Sequence, residues 1–396
     1  MGPVLDWSLL HGAFPVVAGV AGALALVALL WPRGRARRWW LRSVPLALAA
    51  AVLAAALVAA VFRTVLAEPL PRTVTAWSAG ALAGITLAVA AGRAGARWLP
   101  VSAAALVVAL SAASGVNRYY GEVPTVRTAL GLGYADELET VPARTAQLVT
   151  PPDWTPPPGM PATGRVVDVD IPGLVSGFDA RPGWVYLPPA YLGSVRAELP
   201  VLVLLAGQPG GPSDWLDGGQ LATRMDRYAA AHRGLAPVVV MPDDLGSELA
   251  DPQCLDPAPA AAATYLSVDV PNWISHHLQV GAGRAVGGLS YGGTCAVQLA
   301  LTAPSVYPTF VDISGETAPA LGLLATRHYP ATAGAIVVGA QDREFRPDAE
   351  TVLAALRSAN VPVTFTEMPG SHTWGVWGPG LEATLPWLGT RLGLTR

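Results

Sequence analysis

Arg284-Ala-Val-Gly-Gly-Leu-Ser290-Tyr-Gly-Gly-Thr-Cys-Ala-Val-Gln-Leu-Ala-Leu-Thr302 passes from an apolar stretch, through a serine between glycines, into an Ala-rich stretch. Residues 284–289 read as a strand and 291–303 as a helix, with Ser290 on the turn between them. Gly288-Leu-Ser-Tyr-Gly292, followed by Gly293, has the spacing a nucleophile elbow requires. The glycines let strand and helix approach closely, the serine backbone is strained, and the helix N-terminus puts positive potential where an oxyanion forms. Glycine is 42 of 396 residues, so the five-residue pattern means little by itself. Its strand–turn–helix setting separates a nucleophile from a Gly-rich turn carrying a solvated serine.

The same alternation extends both ways. Residues 165–171 and 183–187 read as early strands, and Leu199-Pro-Val-Leu-Val-Leu-Leu205 is a continuous apolar run, the pattern of a strand covered on both faces. Residues 219–232 read as a helix, 236–241 as a strand and 269–277 as a helix. After the central helix come strands at 309–313 and 335–338, a helix at 347–359, a strand at 363–367 and a final helix at 376–393. Repeated strand–helix units imply a mostly parallel sheet with helices on both faces, the two early strands forming an antiparallel edge.

A serine nucleophile needs a base, and the chain has six histidines. His11 lies in an apolar N-terminal region; His232, His276 and His277 lie at helices before the nucleophile, and His328 in a loop before the penultimate strand. His372, in Pro369-Gly-Ser-His-Thr-Trp374, follows the last strand, where the order Ser, acid, His puts the base. Asp342 ends Ala335-Ile-Val-Val-Gly-Ala-Gln-Asp342 and is the expected acid, orienting the imidazole, with Glu344 and Asp348 as nearby rivals. Asp312 follows the wrong strand and reads as structural. An oxyanion hole needs two backbone N–H groups. Tyr291 supplies one; Ala206-Gly-Gln-Pro-Gly-Gly211 supplies the other through Gln208, since Pro209 has no N–H. The two cysteines, Cys254 and Cys295, lack metal-ligand spacing. In an oxidising compartment they could form a disulfide, the alternative being two free buried thiols. With no ligand cluster and no Gly-rich phosphate loop, neither a metal nor an organic cofactor is implied.

Leu204-Leu-Ala-Gly-Gln-Pro-Gly-Gly-Pro-Ser-Asp-Trp215, Val240-Met-Pro-Asp243, Gly288-Leu-Ser-Tyr-Gly-Gly293, Gly339-Ala-Gln-Asp-Arg-Glu-Phe345 and Gly370-Ser-His-Thr-Trp-Gly-Val-Trp377 together resemble an esterase family of α/β-hydrolases. That family includes esterase D-like S-formylglutathione hydrolases and the secreted mycolyltransferases of actinobacteria. The resemblance covers residues 164–393. It implies Ser290, Asp342 and His372 as triad, with Gln208 and Tyr291 as oxyanion donors. Many members carry His-Gly after the oxyanion strand where this chain has Ala206-Gly207, which leaves open what supports the loop. The mycolyltransferases often use Glu as the acid; Asp342 is closer to the simple esterases.

The first third is different. Four apolar runs, Leu9–Trp31, Val44–Phe62, Val74–Ala91 and Trp98–Ala113, are 16–23 residues long, near the roughly 20 that span a hydrocarbon core. Only 13% of the chain is charged, against roughly 25% for soluble domains, and the mean hydropathy is +0.40. Disorder and a wholly soluble enzyme are therefore disfavoured. The net charge of −3 provides no basic field for nucleic acid. All 25 basic residues are arginine. Arg33, Arg35, Arg37, Arg38 and Arg42 follow the first run, and Arg93 and Arg97 the third; between the second and third lie only Arg63 and Arg72, with Glu68. Positive loops stay cytoplasmic, which puts the N-terminus and everything after the fourth span outside. The spans hold no ionisable residue except His11 near one end, so they read as an anchor.

The expected architecture is a four-helix transmembrane unit at 1–115, a polar, Pro-rich linker at 116–163 and an α/β-hydrolase domain at 164–396. The expected function is a membrane-anchored, extracytoplasmic serine esterase acting on carboxylic esters, lipid or cell-envelope glycolipid esters among them. The alternatives are an acyltransferase delivering the acyl group to a sugar or lipid hydroxyl, and a non-catalytic membrane scaffold.

Overall fold

The computed structural model describes residues 2–31, 37–65, 70–132, 134, 137–144, 146–257 and 261–395. The chain divides into two compact units, Met1–Leu132 and Gly133–Arg396.

The first unit contains α1 (Ala13–Leu30), α2 (Val44–Val65), α3 (Arg72–Arg93) and α4 (Trp98–Tyr120). Counting the turn at Trp39–Ser43 that leads into α2, four helices are long and apolar enough to cross a membrane, with mean hydropathies of 2.4, 2.6, 1.6 and 1.9. Leu29, Leu87, Ala88, Ala91 and Val108 form a small interior. Leu24, Leu53, Leu57 and Leu110 point outward, where a water-facing helix would carry polar side chains. The first helix begins at Ala13, not Leu9, because Ser8 Oγ accepts the Leu10 and His11 N–H groups in a turn. The fourth extends past Ala113 through Asn117-Arg-Tyr-Tyr120, read from sequence as the start of the linker, and ends at Gly121 in the left-handed conformation. Of the charges used for orientation, Arg33, Arg35 and Glu68 lie outside the described residues.

The second unit is built on strands β1 (Gln147–Val149), β2 (Arg165–Val169), β3 (Gly183–Leu187), β4 (Val195–Ala197), β5 (Val201–Leu205), β6 (Val238–Met241), β7 (Arg284–Leu289), β8 (Thr309–Ile313), β9 (Ala333–Gly339) and β10 (Val363–Met368). Its main helices are α5 (Leu221–Ala231), α6 (Val270–His277), α7 (Tyr291–Thr302), α8 (Arg346–Ser358) and α9 (Trp374–Arg391). Eight strands form one sheet in the order β10-β9-β8-β7-β5-β6-β3-β2. The first five pairs in that order are parallel; β6–β3 and β3–β2 are antiparallel.

Every residue of β5 is buried, and successive residues serve opposite faces. Val201, Val203 and Leu205 join a core with Ala296, Val297, Ala349 and Val352 from α7 and α8. Leu202 and Leu204 join another with Met225 from α5 and Leu381, Leu385 and Leu388 from α9. A period of two buried on both sides forms a layered α/β unit, as the sequence pattern predicts.

The Pro-rich stretch is not a free tether. Gln147–Val149 pairs in parallel with β4, and the Leu138 N–H donates to the Val166 carbonyl. Trp154 is 1% exposed, its indole N–H donating to the Arg233 carbonyl. The prolines do exclude helix and central strand, but burial of Trp154 ties the segment to the second unit.

Candidate active site

The site lies at the carboxyl ends of the parallel strands, where β5, β7, β9 and β10 each deliver a loop. β7 ends at Leu289, and Ser290 adopts φ 51°, ψ −123°, a region costly for a residue with a Cβ. Ser290 N–H donates to the Ile313 carbonyl at 2.8 Å, and its own carbonyl accepts the Gly293 and Thr294 N–H groups that start α7. Gly292 is required at the next turn: a Cβ there would stand 2.3 Å from the Ala206 carbonyl oxygen. This close approach brings the helix start against the end of β5.

His372 follows β10. Its Nε2 lies 2.9 Å from Ser290 Oγ and its Nδ1 lies 3.0 Å from Asp342 Oδ2. A carboxylate only accepts, so Nδ1–H donates to Asp342, and neutral Nε2 then accepts the Ser290 hydroxyl proton. Asp342, 2% exposed, uses its other oxygen to accept the Phe345 N–H at 3.1 Å. The imidazole is clamped by rings: Phe345 stacks on it at 3.8 Å, and Trp377 meets it edge-on at 4.9 Å. The rivals of Asp342 are elsewhere. Glu344 is exposed, and Asp348 accepts a hydrogen bond from Thr317. Asp312 is buried behind the elbow, with one oxygen accepting the Gly315 N–H. Burial pushes its carboxyl up to about 7.

The loop after β5 passes directly over the serine. A Cβ on Gly207 would stand 3.5 Å from Ser290 Cβ. The N–H groups of Gln208 and Tyr291 donate to nothing among the described residues, and Tyr291 opens α7, whose first-turn amides are unpaired by helix geometry. The Tyr291 hydroxyl points away and accepts the Cys254 N–H at 3.0 Å. Burial, and then the Asp244 carboxyl, push its phenol up. Cys254 and Cys295 form a disulfide with Cα atoms 5.4 Å apart, joining the loop after β6 to α7. Glu316, whose N–H donates to Thr294 Oγ1 on that helix, is also shifted up, by burial and by Asp348 and Asp251.

The structure thus brings Ser290, Asp342 and His372 together, with the Gln208 loop, Tyr291 and the Cys254–Cys295 bridge beside them, and leaves Glu344, Asp348 and Asp312 outside that relay. It adds Phe345 and Trp377 on the imidazole, and Arg181, Asp243 and Asp214 around the loop after β5. Of these, Asp214, Asp243, Phe345 and Trp377 fall inside the segments that resemble the esterases; Arg181, in Phe178-Asp-Ala-Arg-Pro182, carries no sequence signal. Among the described residues no group of three or more His, Cys, Asp or Glu could hold a metal ion.

The profile of the Esterase family ("Putative esterase") matches residues 179–388, more than half of the chain. The chain belongs to that family. An uncharacterized protein of Corynebacterium glutamicum is 29% identical over 427 residues, aligned over 96% of each chain, so the likeness takes in the N-terminal helices as well as the esterase-family domain. A solved ferulic acid esterase is 19% identical, covers 58% of this chain and 99% of its own, and superposes with a TM-score of 0.52. An S-formylglutathione hydrolase from Agrobacterium tumefaciens is 18% identical, covering 59% of this chain and 97% of its own, with a TM-score of 0.50. At these identities the two structures establish a shared α/β-hydrolase fold for the second unit.

Proposed function

We propose that the protein is a membrane-anchored serine esterase whose catalytic domain faces away from the cytoplasm. The observation that carries the catalytic reading is the continuous relay from Asp342 through His372 to Ser290 Oγ, at 3.0 and 2.9 Å. In this reading Ser290 Oγ attacks the ester carbonyl carbon while His372 Nε2 takes the hydroxyl proton. The carbonyl oxygen becomes an oxyanion held by the Gln208 and Tyr291 N–H groups. Collapse of the tetrahedral intermediate breaks the bond to the alcohol, which leaves with the proton from His372. Water then attacks the acyl-enzyme, giving its proton to His372, and the acid departs as Ser290 is restored. Asp342 remains ionised and supports the imidazolium.

Membrane anchoring is supported by the four long apolar helices and orientation by the arginines after the first and third. A site held at a bilayer suits esters presented there, lipid and cell-envelope glycolipid esters among them. The decisive experiment is fluorophosphonate labelling of the full chain in detergent: wild type should label, Ser290→Ala should not, and an unlabelled wild type would leave a scaffold role. If added alcohol acceptors divert the acyl group from free acid to new ester, the enzyme is an acyltransferase. For orientation, a reporter active only in the cytoplasm and fused after Arg396 should stay silent; a strong signal would reverse the topology.

A further inference from the structure

The loop carrying the Gln208 N–H, Ala206-Gly-Gln-Pro-Gly-Gly211, has glycine or proline at four of six positions. Glycine-rich backbone has many conformations to lose, so the loop needs support from outside itself. The support comes from several sides. Gly210 N–H donates to the Glu248 carbonyl at 3.2 Å, Gly211 N–H to Asp214 Oδ2 at 2.8 Å, and Gln208 Nε2 to the Leu249 carbonyl at 3.2 Å. The only charged donor among these contacts is Arg181, whose Nη1 reaches the Gly210 carbonyl at 3.0 Å.

Arg181 is itself fixed. Its backbone N–H and Nε donate to Asp243 Oδ2 at 2.8 and 3.1 Å, and Nη2 donates to Oδ1 at 2.7 Å. Asp243 is fully buried and also accepts the Leu245 and Gly246 N–H groups, so five donors converge on one carboxylate. Such a two-pronged, charge-assisted pairing fixes the guanidinium plane. The adjacent Asp244 is buried, with no hydrogen-bond partner for either carboxyl oxygen among the described residues. Burial, together with the charge on Asp243, raises its pKa well above the usual range. The loop lies on the guanidinium: a Cβ on Gly211 would stand 3.1 Å from Nη1.

We propose that Arg181 is a positioning residue for the oxyanion hole, its Asp243-pinned guanidinium holding the Gly210 carbonyl and, two residues away, the Gln208 N–H over Ser290. This rests on the roles given above to Ser290 and Gln208. An oxyanion donor works only at about 2.7–3.1 Å from the developing charge, and a misplacement of about 1 Å can cost about 10²-fold in rate.

The test uses the full chain in detergent with p-nitrophenyl acetate, rates being expressed per site titrated with fluorophosphonate. Arg181→Gln should lower kcat about 10²-fold, leave KM within about threefold, and weaken inhibition by a trifluoromethyl ketone, whose hemiketal oxygen occupies the hole, by the same factor as kcat/KM. Arg181→Lys should recover little, since an ammonium cannot span Asp243 and the Gly210 carbonyl. Added methylguanidinium should restore rate to Arg181→Ala and not to Arg181→Gln. Gly211→Ala leaves the Arg181–Asp243 pair intact while pushing the loop off it, and should show a smaller loss with the same KM and inhibitor pattern. It also reports on the loop if the arginine variants fold poorly. If wild type labels at Ser290 while kcat per titrated site and inhibitor affinity are unchanged in Arg181→Gln and Gly211→Ala, the positioning role is refuted. A wild type that does not label overturns the esterase reading and this inference together.

Discussion

Asp342→Asn changes one oxygen to an amide nitrogen, and the site dictates which way the new side chain faces. Asp342 Oδ1 accepts the Phe345 N–H, while Oδ2 accepts His372 Nδ1–H. An Asn must keep its oxygen toward the Phe345 N–H, because turning its NH2 there would set donor against donor. Its NH2 therefore faces His372 Nδ1, which must become the acceptor, and the imidazole proton moves to Nε2. Nε2–H then points at Ser290 Oγ, 2.9 Å away, and can no longer accept the hydroxyl proton. The Ser-His-Asp template puts the cost of this tautomer error at roughly 10⁴ in kcat, about 5–6 kcal/mol of barrier. The assay is hydrolysis of a small activated ester by the full chain in detergent, with thermal unfolding to confirm that Asp342→Asn keeps its fold. Glu344→Gln, at an exposed neighbour, should remain within a few-fold of wild type. An Asp342→Asn enzyme within tenfold of wild type, or a larger loss in Glu344→Gln, would refute the assignment of the acid.

Three further outcomes are expected. Thiol titration of the denatured, unreduced protein should find no thiol, and two after reduction; Cys254→Ser/Cys295→Ser should lose roughly 4 kcal/mol of stability in urea by loop-entropy reasoning, the bridge spanning 41 residues. Asp312 is raised in the folded state to about 7 from an ordinary 3.8, so the folded chain retains a proton that the unfolded chain releases between those values. The stability it contributes is present below pH 4 and is lost as pH rises through 7. Asp312→Asn, which never ionises, should therefore outlast wild type in thermal inactivation at pH 8 by an amount on the order of 4 kcal/mol or less, with the difference fading toward pH 4. Finally, a fragment beginning at Gly133 should fold and label with fluorophosphonate. One beginning at Gly164 loses the buried Trp154 and the Gln147–Val149 pairing and should aggregate or unfold at a lower temperature; equal stability of the two would return 133–163 to the status of a tether.

Much of this protein was legible from its chain because the relevant physics is local. The apolar runs close to the length that spans a hydrocarbon core, the period-two strands buried on both faces, and Gly288-Leu-Ser-Tyr-Gly292 between strand and helix each depend on neighbours in sequence. Topological order then put Asp342 and His372 in the loops after β9 and β10. Other features depended on residues far apart in sequence. Trp154 and Leu138 look like linker residues until a surface exists for them to cover, and α4 runs on through Arg118 because its end is set by Gly121 and the Asn117 side chain, which pairs with Val123. Which of Asp342, Glu344 and Asp348 meets His372 depended on which carboxylate the fold turned inward. The Cys254–Cys295 bridge required two segments to meet within 5.4 Å. Arg181 is the sharpest case: a residue in an early loop reaches the Gly210 carbonyl of the loop after β5 while paired with the buried Asp243, and no periodicity or spacing encodes a hydrogen bond between residues 181 and 210.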